Sequence, residues 1–294
     1  MSLADEVTDP GSLADGLAEC GYLTEPGLAA ALFCAVRLPQ PLLLEGEAGV
    51  GKTQAAKSLA TLLDTPLIRL QCFEGIDAAE ALYEWNYPRQ LLGIRLAEAK
   101  GTDLAEESLF GPEYLIRRPL LAALEHPGPR PAVLLIDEVD RADEEFEAFL
   151  FELLAESTVT IPEIGTLTAT HPPIVVLTSN RTRDLHDALK RRCLYHWIDY
   201  PPLERATAIV RARVPQASTA LAAEVAGAVQ RLRSLDVQKQ PGVAEAIDWV
   251  QAAQLMGLET LDEDAVEATL GSVLKYREDH DVAREKGLAW VADG

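Results

Sequence analysis

Apolar and polar positions alternate along this chain in two different ways, and the change falls near residue 200. Before it, short apolar runs bounded by Gly, Pro or polar residues predict five buried strands. These strands are expected at 42–45, 66–72, 132–136, 174–177 and 194–198. Stretches with an apolar residue every three or four positions separate them and predict helices. The clearest are 24–37, 119–125, 144–156 and 184–190.

After residue 202 only helical spacing continues. It covers residues 204–213, 219–235, 243–255 and 263–279 without a strand candidate. The pattern therefore predicts an α/β domain over residues 1–200 and an all-helical domain over residues 201–294.

Two segments of the first part do not fit simple alternation. Residues 159–169 contain two β-type runs around a Pro and a Gly, which is typical of a hairpin. Residues 76–96 collect Tyr83, Trp85 and Tyr87 in a connection, which predicts either a small packed cluster or a contact surface, and packing is favoured. Residues 97–118 are polar and rich in turn residues, so a loop is expected there.

Composition narrows the class of protein and of partner. The 294 residues are 48% hydrophobic and 25% charged, which suffices for packed cores. The net charge is −21; residues 201–294 carry 10 basic and 15 acidic residues, a net of −5, which leaves −16 for residues 1–200. Because such a field repels a phosphate backbone, we expect no nucleic acid as main partner.

Neither the cysteines nor the termini suggest secretion. Cys20, Cys34, Cys72 and Cys193 are widely spaced, so reduced thiols are expected, with Cys34 and Cys193 packed as small apolar residues. The acidic start is unlike a signal peptide, and no stretch approaches the length of a membrane span. These features predict a cytoplasmic protein without membrane insertion.

The first strand runs directly into a glycine-rich loop and a helix. Residues 46–53 have Gly at their first and sixth positions followed by Lys-Thr, which is the phosphate-loop pattern. Backbone N–H groups of such a loop cradle phosphates, the lysine neutralises the β- and γ-phosphates, and the threonine hydroxyl binds Mg²⁺. The candidate nucleotide-binding residues are Gly46, Glu47, Ala48, Gly49, Val50, Gly51, Lys52 and Thr53, with Thr53 as a Mg²⁺ ligand. An ordinary glycine-rich turn is the alternative.

A second candidate group follows the third and fourth strands. The apolar run 132–136 ends in Asp137 and Glu138, where ligands bind in open α/β sheets. Asp137 is expected to hold Mg²⁺, and Glu138 to polarise the attacking water as general base. An acidic N-cap for helix 144–156 is the alternative. Asn180 follows the strand 174–177 and is expected to hydrogen-bond the γ-phosphate or the water.

This order of motifs, continued by a basic pair at Arg191-Arg192 and a helical region, resembles an AAA+ ATPase over residues 20–290. The stretch DEVDRA at 137–142, with LLAESTVTIP after it, is similar to the MoxR family. The segments YEWNYPRQLL, ALKRRCLYHWIDYPP and QPGVAEAIDW resemble its CoxD-type members, which are associated with maturation of molybdenum hydroxylases such as carbon monoxide dehydrogenase.

The resemblance implies a P-loop core with a five-stranded parallel sheet in the order 5-1-4-3-2, a hairpin insert before the Asn180 strand, and an all-α lid. It implies Asn180 as sensor-1, and Arg192, with Arg191 second, as the arginine finger supplied to a neighbouring subunit. The alternative for the pair is a solvated basic turn. A ring, most often a hexamer, a von Willebrand A domain adaptor and a molybdenum hydroxylase client are also implied.

The chain departs from the MoxR pattern at three places. Asp140 stands where Asn is frequent, and Gln90-Leu91-Leu92-Gly93 stands where many members have Asp-Leu-Leu-Gly. Glu245 falls at the position of the sensor-2 arginine, so lid sensing is either lost or passed to Lys239.

The expected function is therefore ATP-driven, chaperone-like remodelling or metal-cofactor maturation of a client enzyme, with ATP and Mg²⁺ as cofactors. A nucleic-acid motor or loader of the same superfamily is the alternative, and the acidic charge opposes it. A small-molecule P-loop kinase is the third possibility. Residues 21–23 are either a base-contact segment or a packing turn.

Overall fold

The computed structural model describes residues 7–38, 40–101, 106–156 and 158–293. The chain divides into two compact units, each with its own apolar core. The first unit is made of Met1–Pro10, Ala29–Glu45 and Leu59–His196, and the second of Gly11–Leu28, Gly46–Ser58 and Trp197–Gly294.

A five-stranded sheet organises the α/β part. Its strands are β1 (Leu42–Gly46), β2 (Leu67–Gln71), β5 (Val133–Asp137), β8 (Ile174–Ser179) and β9 (Leu194–Ile198). Their order is β2-β5-β8-β1-β9, which is the order 5-1-4-3-2 read from the other edge, so the predicted parallel sheet is confirmed. Strands β1, β5 and β8 are buried at every position, as continuous apolar runs require.

The helices predicted before residue 200 lie close to their predicted positions, and others are additional. The helices of this part are α1 (Pro10–Glu19), α2 (Pro26–Arg37), α3 (Lys52–Leu62), α4 (Ala78–Ala81), α5 (Tyr87–Lys100), α6 (Pro119–Leu124), α7 (Glu144–Glu156) and α8 (Asp187–Arg192). Of these, α1, α4 and α5 are additional to the prediction. Helix α8 begins three residues later than predicted because the His186 ring accepts a hydrogen bond from the Ala188 N–H and caps it.

Two small antiparallel sheets complete this part. The predicted hairpin is confirmed as β6 (Thr158–Ile161) and β7 (Gly165–Thr168). A second pair, β3 (Tyr83–Trp85) with β4 (Leu115–Arg117), was not predicted. The prediction of a loop over residues 97–118 is wrong, since they hold the end of α5, a 3₁₀ turn at Glu106–Phe110 and β4; residues 102–105 lie outside the described residues.

The aromatic cluster in this segment is mainly packing, as favoured from the sequence. Trp85 is buried, and its ring meets Phe110 edge to face at a centroid distance of 5.1 Å. The Tyr83 ring also meets the Trp85 ring edge to face, at a centroid distance of 6.2 Å. Tyr87, by contrast, is exposed.

The helices after residue 200 are α9 (Leu203–Arg213), α10 (Thr219–Arg233), α11 (Val243–Leu255), α12 (Glu263–Val273), α13 (Arg277–Lys286) and α14 (Leu288–Asp293). Their core surrounds the fully buried Trp249, whose indole N–H donates to the Thr269 hydroxyl at 2.6 Å.

The predicted helix 263–279 is two helices. Leu274 adopts an extended conformation and is buried, and the Lys275 ammonium donates to the last carbonyls of α12. Burial of Leu274 thus stabilises the break.

The cysteines agree with the expectation of reduced thiols. All four cysteines are free thiols, and burial raises the pKa of Cys193 to about 12 where it packs against the first core. Within the described ranges, no helix has the length and apolar character needed to cross a membrane.

Candidate functional site

The glycine-rich loop connects β1 to α3. Gly49 and Gly51 have φ angles of +77° and +98°, the left-handed region that favours glycine. The ammonium of Lys52 is buried and donates to the carbonyls of Gly46 at 2.6 Å and Glu47 at 2.7 Å. Thr53 follows in the first turn of α3. The loop therefore has the glycine conformations, the folded-back lysine and the helix start that a phosphate site requires.

The start of α11 contacts this loop. The N–H groups of Val243 and Ala244 lie 3.1 and 3.3 Å from the Gly49 carbonyl. Glu245 accepts a hydrogen bond from the Gly242 N–H at 2.8 Å and so caps its own helix. A Cβ placed on Gly49 would meet the Glu245 carboxylate at 2.7 Å. Glu245 is thus a capping residue beside the phosphate loop.

An arginine that the sequence analysis did not single out lies near Glu245. The Arg233 guanidinium stacks on Tyr200 at 4.0 Å and donates to the Pro241 carbonyl at 2.5 Å. Burial lowers its pKa, against the raising effects of Tyr200 and Glu245. Burial, and then the Glu47 carboxylate, raise the pKa of Tyr200. Lys239, one of the two alternatives for lid sensing, donates its backbone N–H to the Asp279 carboxylate.

The segment 21–23 also lies beside the loop. A Cβ on Gly51 would meet the Tyr22 ring at 3.6 Å. Burial raises the pKa of Tyr22, and Arg205 lowers it. Arg205 donates to the Leu23 carbonyl at 3.2 Å and pairs with Glu25 at 3.5 Å, which fixes this segment.

The acid pair lies at the carboxyl end of β5. Asp137 is buried, and its two oxygens accept from different neighbours: the Thr178 hydroxyl on Oδ1, and Arg69 Nη2 and Nε at 2.6 and 3.0 Å on Oδ2. Glu138 has a φ of +55°, and its N–H donates to the Thr178 oxygen at 2.9 Å. Its carboxylate accepts from Gln71 at 3.1 Å and Arg141 at 3.3 Å.

Side chains of β2 therefore reach both acids. Arg69 and Gln71 also hydrogen-bond each other. They project from the same face of β2, because residues i and i+2 of a strand do so. Two polar residues at this spacing in the otherwise apolar stretch PLIRLQC, beside the strand that ends in the acid pair, are the signal by which they could have been found.

Asn180 and Asp140 are connected at the same edge. The Asp140 carboxylate accepts from the backbone N–H groups of Asn180 at 3.2 Å and Thr182 at 2.8 Å, and from the Thr182 hydroxyl at 2.7 Å. Because a single oxygen takes these bonds, the Asn that is frequent in the MoxR pattern could accept them as well. The loop bearing Asn180 is thereby fixed close to the acid pair.

The chemistry of this edge suits a hard divalent cation. Burial, and then the carboxylates of Asp137, Asp140 and Glu138, raise the pKa of the Cys72 thiol to about 12. Carboxylate oxygens are what Mg²⁺ binds, usually one or two together with substrate phosphates and water rather than a full protein cage. The described part of the chain holds no cluster of three or more His, Cys, Asp or Glu residues fit for a metal.

The basic pair lies at the amino ends of the parallel strands, opposite the end at which the acid pair lies. Arg191 and Arg192 are exposed at the end of α8, and the Arg192 guanidinium stacks on Phe151 at 4.0 Å. The next residue but one, Leu194, donates its N–H to Pro41, directly before β1. The strands thus place Arg191 and Arg192 at their amino ends, whereas the acid pair and Asn180 follow the carboxyl ends. At about 3.3 Å per residue, five strand residues separate these edges by roughly 16 Å.

This chain is similar to known proteins in sequence and in fold. A family model described as an AAA domain of the dynein-related subfamily matches residues 41–193. The denitrification regulatory protein NirQ of Stutzerimonas stutzeri is 26% identical over 203 residues, which cover 67% of this chain and 64% of NirQ. The match thus spans less than two thirds of the length of NirQ.

Two solved structures from Thermotoga maritima are also similar. The RuvB Holliday junction branch migration motor has a TM-score of 0.46 and 15% identity, covering 92% of this chain and 69% of RuvB. Domain III of the replication initiation protein DnaA has a TM-score of 0.48 and 15% identity, covering 86% and 95%. Similarity this low carries no argument about function.

Proposed function

The chain belongs to the AAA domain family, in its dynein-related subfamily, and we propose that it is a ring-forming ATPase that remodels a client enzyme. Residues 41–193 form a P-loop domain of a family that hydrolyses ATP with Mg²⁺, and members of this family typically assemble into rings. The remodelling activity and the client enzyme are what we propose.

We assign the roles as follows. Residues 1–200 are the nucleotide-binding core and residues 201–294 the lid. The backbone of residues 46–51 and the Lys52 ammonium bind the phosphates, and Thr53 and Asp137 hold Mg²⁺, which supplies charge neutralisation on the phosphates. Glu138 polarises the attacking water, and Asn180 orients it or the γ-phosphate.

The observation that carries a ring is the separation of the acid pair from the basic pair. Arg192 lies at the amino ends of the strands and cannot contact a phosphate held at their carboxyl ends in the same subunit. An arginine finger placed there serves the next subunit. Arg192 is the first candidate and Arg191 the second, and a hexamer is the proposed assembly.

The proposed client is an enzyme that requires maturation, by resemblance a molybdenum hydroxylase, reached through a von Willebrand A domain adaptor. The CoxD-like segments around residues 83–92, 188–202 and 240–249 support this. The relative NirQ is named as a regulatory protein, and the net charge of this chain is −21. Both favour a protein client over a nucleic-acid substrate.

Mixing two inactive variants tests the shared site. Arg192→Ala keeps the acid pair but lacks the finger, and Glu138→Gln keeps the finger but lacks the base. Each alone should lose most ATP hydrolysis, by about 10³-fold for the finger. In mixed rings, roughly a quarter of the interfaces join an intact acid pair to an intact finger, so hydrolysis should return.

No recovery on mixing, with both variants assembled by mass measurement, would contradict a finger in trans. Normal hydrolysis by Arg192→Ala alone would move the role to Arg191→Ala, to be tested in the same way.

The client is tested by affinity capture with Glu138→Gln in the presence of ATP, because rings that bind but do not cleave ATP retain their partners. Lys52→Ala, which should not bind ATP, is the matched control. Retention of a von Willebrand A domain protein or a molybdenum enzyme by the first variant alone supports the proposal. Binding of single-stranded DNA at physiological salt would favour the nucleic-acid motor instead.

A further inference from the structure

Helix α5 exposes large apolar side chains and buries small or polar ones. Gln90 and Ala97 are its buried residues. Its exposed fractions are 61% for Tyr87, 60% for Leu91, 58% for Leu92 and 52% for Leu96. This is the reverse of an ordinary surface helix, whose apolar residues face the core. Contiguous apolar side chains on a surface mark an interaction site.

The helix is firmly held in this orientation. The Asn86 side chain caps its start, and Gly101 ends it in the left-handed conformation. The Gln90 amide donates to the Leu109 carbonyl at 2.7 Å. A Cβ on Gly93 would overlap the Tyr114 hydroxyl, so Tyr114 packs closely against α5 at this position. The apolar side chains therefore stay on the solvent side.

The charge of this surface differs from that of the chain. Helix α5 carries Arg89, Arg95 and Lys100 against one acid, Glu98, whereas the whole chain has a net charge of −21. Arg95 follows Leu91 by four residues and Leu92 by three, so it shares their face. An apolar surface with a basic residue on the same face complements a partner that is apolar and acidic.

We propose that the α5 surface, made of Tyr87, Leu91, Leu92, Arg95 and Leu96, binds an amphipathic segment of a client protein that carries acidic residues beside its apolar face. That the partner is a client rests on the proposed function. Helices of this kind dock in other systems through apolar anchors spaced by three and four residues.

The size of the surface favours such a segment over a second copy of this chain. Stable interfaces bury about 800 Å² on each partner. Four side chains that are each about half exposed, with one arginine, present a smaller area. A weak and reversible contact suits a client that is bound and released, whereas a permanent subunit interface needs more surface.

Three labelled peptides test this inference by fluorescence anisotropy with the full chain. One is an amphipathic peptide of Leu and Glu, the second has Lys in place of Glu, and the third has the composition of the first in scrambled order. The Leu/Glu peptide should bind best. Leu91→Ser with Leu92→Ser should weaken its affinity about tenfold or more, the loss typical of removing central apolar anchors.

Two further variants sharpen the result. Arg95→Glu should shift the preference toward the Leu/Lys peptide, and since it keeps the leucines it tests charge alone. Leu255→Ser is the matched control, because Leu255 is 91% exposed on α11 in the other unit and should leave binding unchanged. Circular dichroism checks that each variant is folded.

Equal binding of all three peptides, or no effect of the α5 variants, would overturn the inference. So would a smaller assembly mass in Leu91→Ser with Leu92→Ser, which would make the surface a contact between copies. Binding to vesicles of anionic lipid that the same variants abolish would make it a membrane contact. An α5 variant that loses peptide binding but keeps the wild-type ATPase rate would support this inference. A wild-type chain without ATPase activity would contradict the proposed function alone, so the two can fail separately.

Discussion

The phosphate loop, residues 46–53, and the acid edge, made of Asp137 and Glu138 at the carboxyl end of β5, are held in place by different kinds of contact. The loop is shaped by backbone: glycines at positive φ, and a Gly49 carbonyl that faces the N–H groups opening α11. The acid edge is shaped by side chains: Asp137 and Glu138 are bound by Arg69, Gln71, Thr178 and Arg141. The loop therefore depends on its backbone conformation, whereas Asp137 and Glu138 each depend on hydrogen bonds from neighbouring side chains that include one arginine.

This difference has a consequence for how each region fails. A change in the loop acts through backbone strain and lost phosphate contacts, and therefore on nucleotide affinity. A change at the acid edge alters charge where water and Mg²⁺ are handled, and therefore acts on turnover and on the metal requirement. Four substitutions, in order of expected effect, separate the two.

Lys52→Ala should have the largest effect. It removes the charge for the β- and γ-phosphates and the two bonds from Lys52 to the loop carbonyls. Charged hydrogen bonds are worth about 1.5–3 kcal/mol each, so ATP affinity should fall by about 100-fold or more in a fluorescent-nucleotide titration. Lys57→Ala, exposed on the same helix, is the control. Unchanged binding by Lys52→Ala would remove the loop as the phosphate site.

Glu138→Gln should separate binding from turnover. The amide keeps the size of the side chain and an oxygen that accepts from Gln71, but it cannot act as a base. The rate constant for hydrolysis should fall by about 10²–10⁴-fold, with nucleotide affinity retained. Glu144→Gln, exposed in the first turn of α7, should behave like wild type. Hydrolysis that survives in Glu138→Gln would assign the base elsewhere.

Gly49→Ala tests the backbone origin of the loop. Its Cβ would lie 2.7 Å from the Glu245 carboxylate and 3.2 Å from Gly242, at a φ of +77°. Gly257→Ala is the matched control, with a φ of +70° and open space around it. Both should lose about 1–2 kcal/mol of unfolding free energy from the left-handed conformation.

Only Gly49→Ala should lose more, together with about tenfold in ATP affinity. Denaturant unfolding and nucleotide titration measure the two effects. Equal losses in both variants would mean that the contact with α11 does not restrict the loop.

Arg69→Gln should have the smallest effect. Asp137 loses a cation, so its carboxylate attracts Mg²⁺ more strongly. Because Arg69 is 46% exposed, the pair is screened, and the Mg²⁺ concentration for half-maximal nucleotide binding should fall by about two- to fivefold. Arg69→Lys keeps the charge and should stay close to wild type. A higher Mg²⁺ requirement in Arg69→Gln would mean that Arg69 orients Asp137 for the metal rather than competing with it.

Much of the fold was predictable because its signals are local. Buried apolar runs identified β1, β5 and β8, and glycine spacing located the loop at residues 46–51. The hairpin β6–β7 followed from a short turn between two β-type runs. The pairing of β3 with β4 was missed because about thirty residues separate strands of only three residues each, too short to show alternation.

Candidate site residues were partly predictable for the same reason. Asp137 and Glu138 stand out at the end of an apolar run, and Asn180 follows the next strand of the sheet. Arg69, Gln71 and Arg233 do not, because each contacts a residue distant in sequence, which for Arg233 is Tyr200. The assigned roles of all these residues stay predictions that the variants above test.

By itself, the sequence determined the phosphate loop, the acid pair and the strands that carry them, because glycine conformation and burial of apolar runs depend on residues next to one another. Only the tertiary structure decided that Glu245 lies against Gly49 of the loop, that Arg69 and Gln71 bind the acids, and that the leucines of α5 face solvent. It also decided that the arginine pair lies at the amino ends of the strands, opposite the acids at the carboxyl ends. These contacts join residues far apart in the chain, so their free energy depends on which surfaces the fold brings together.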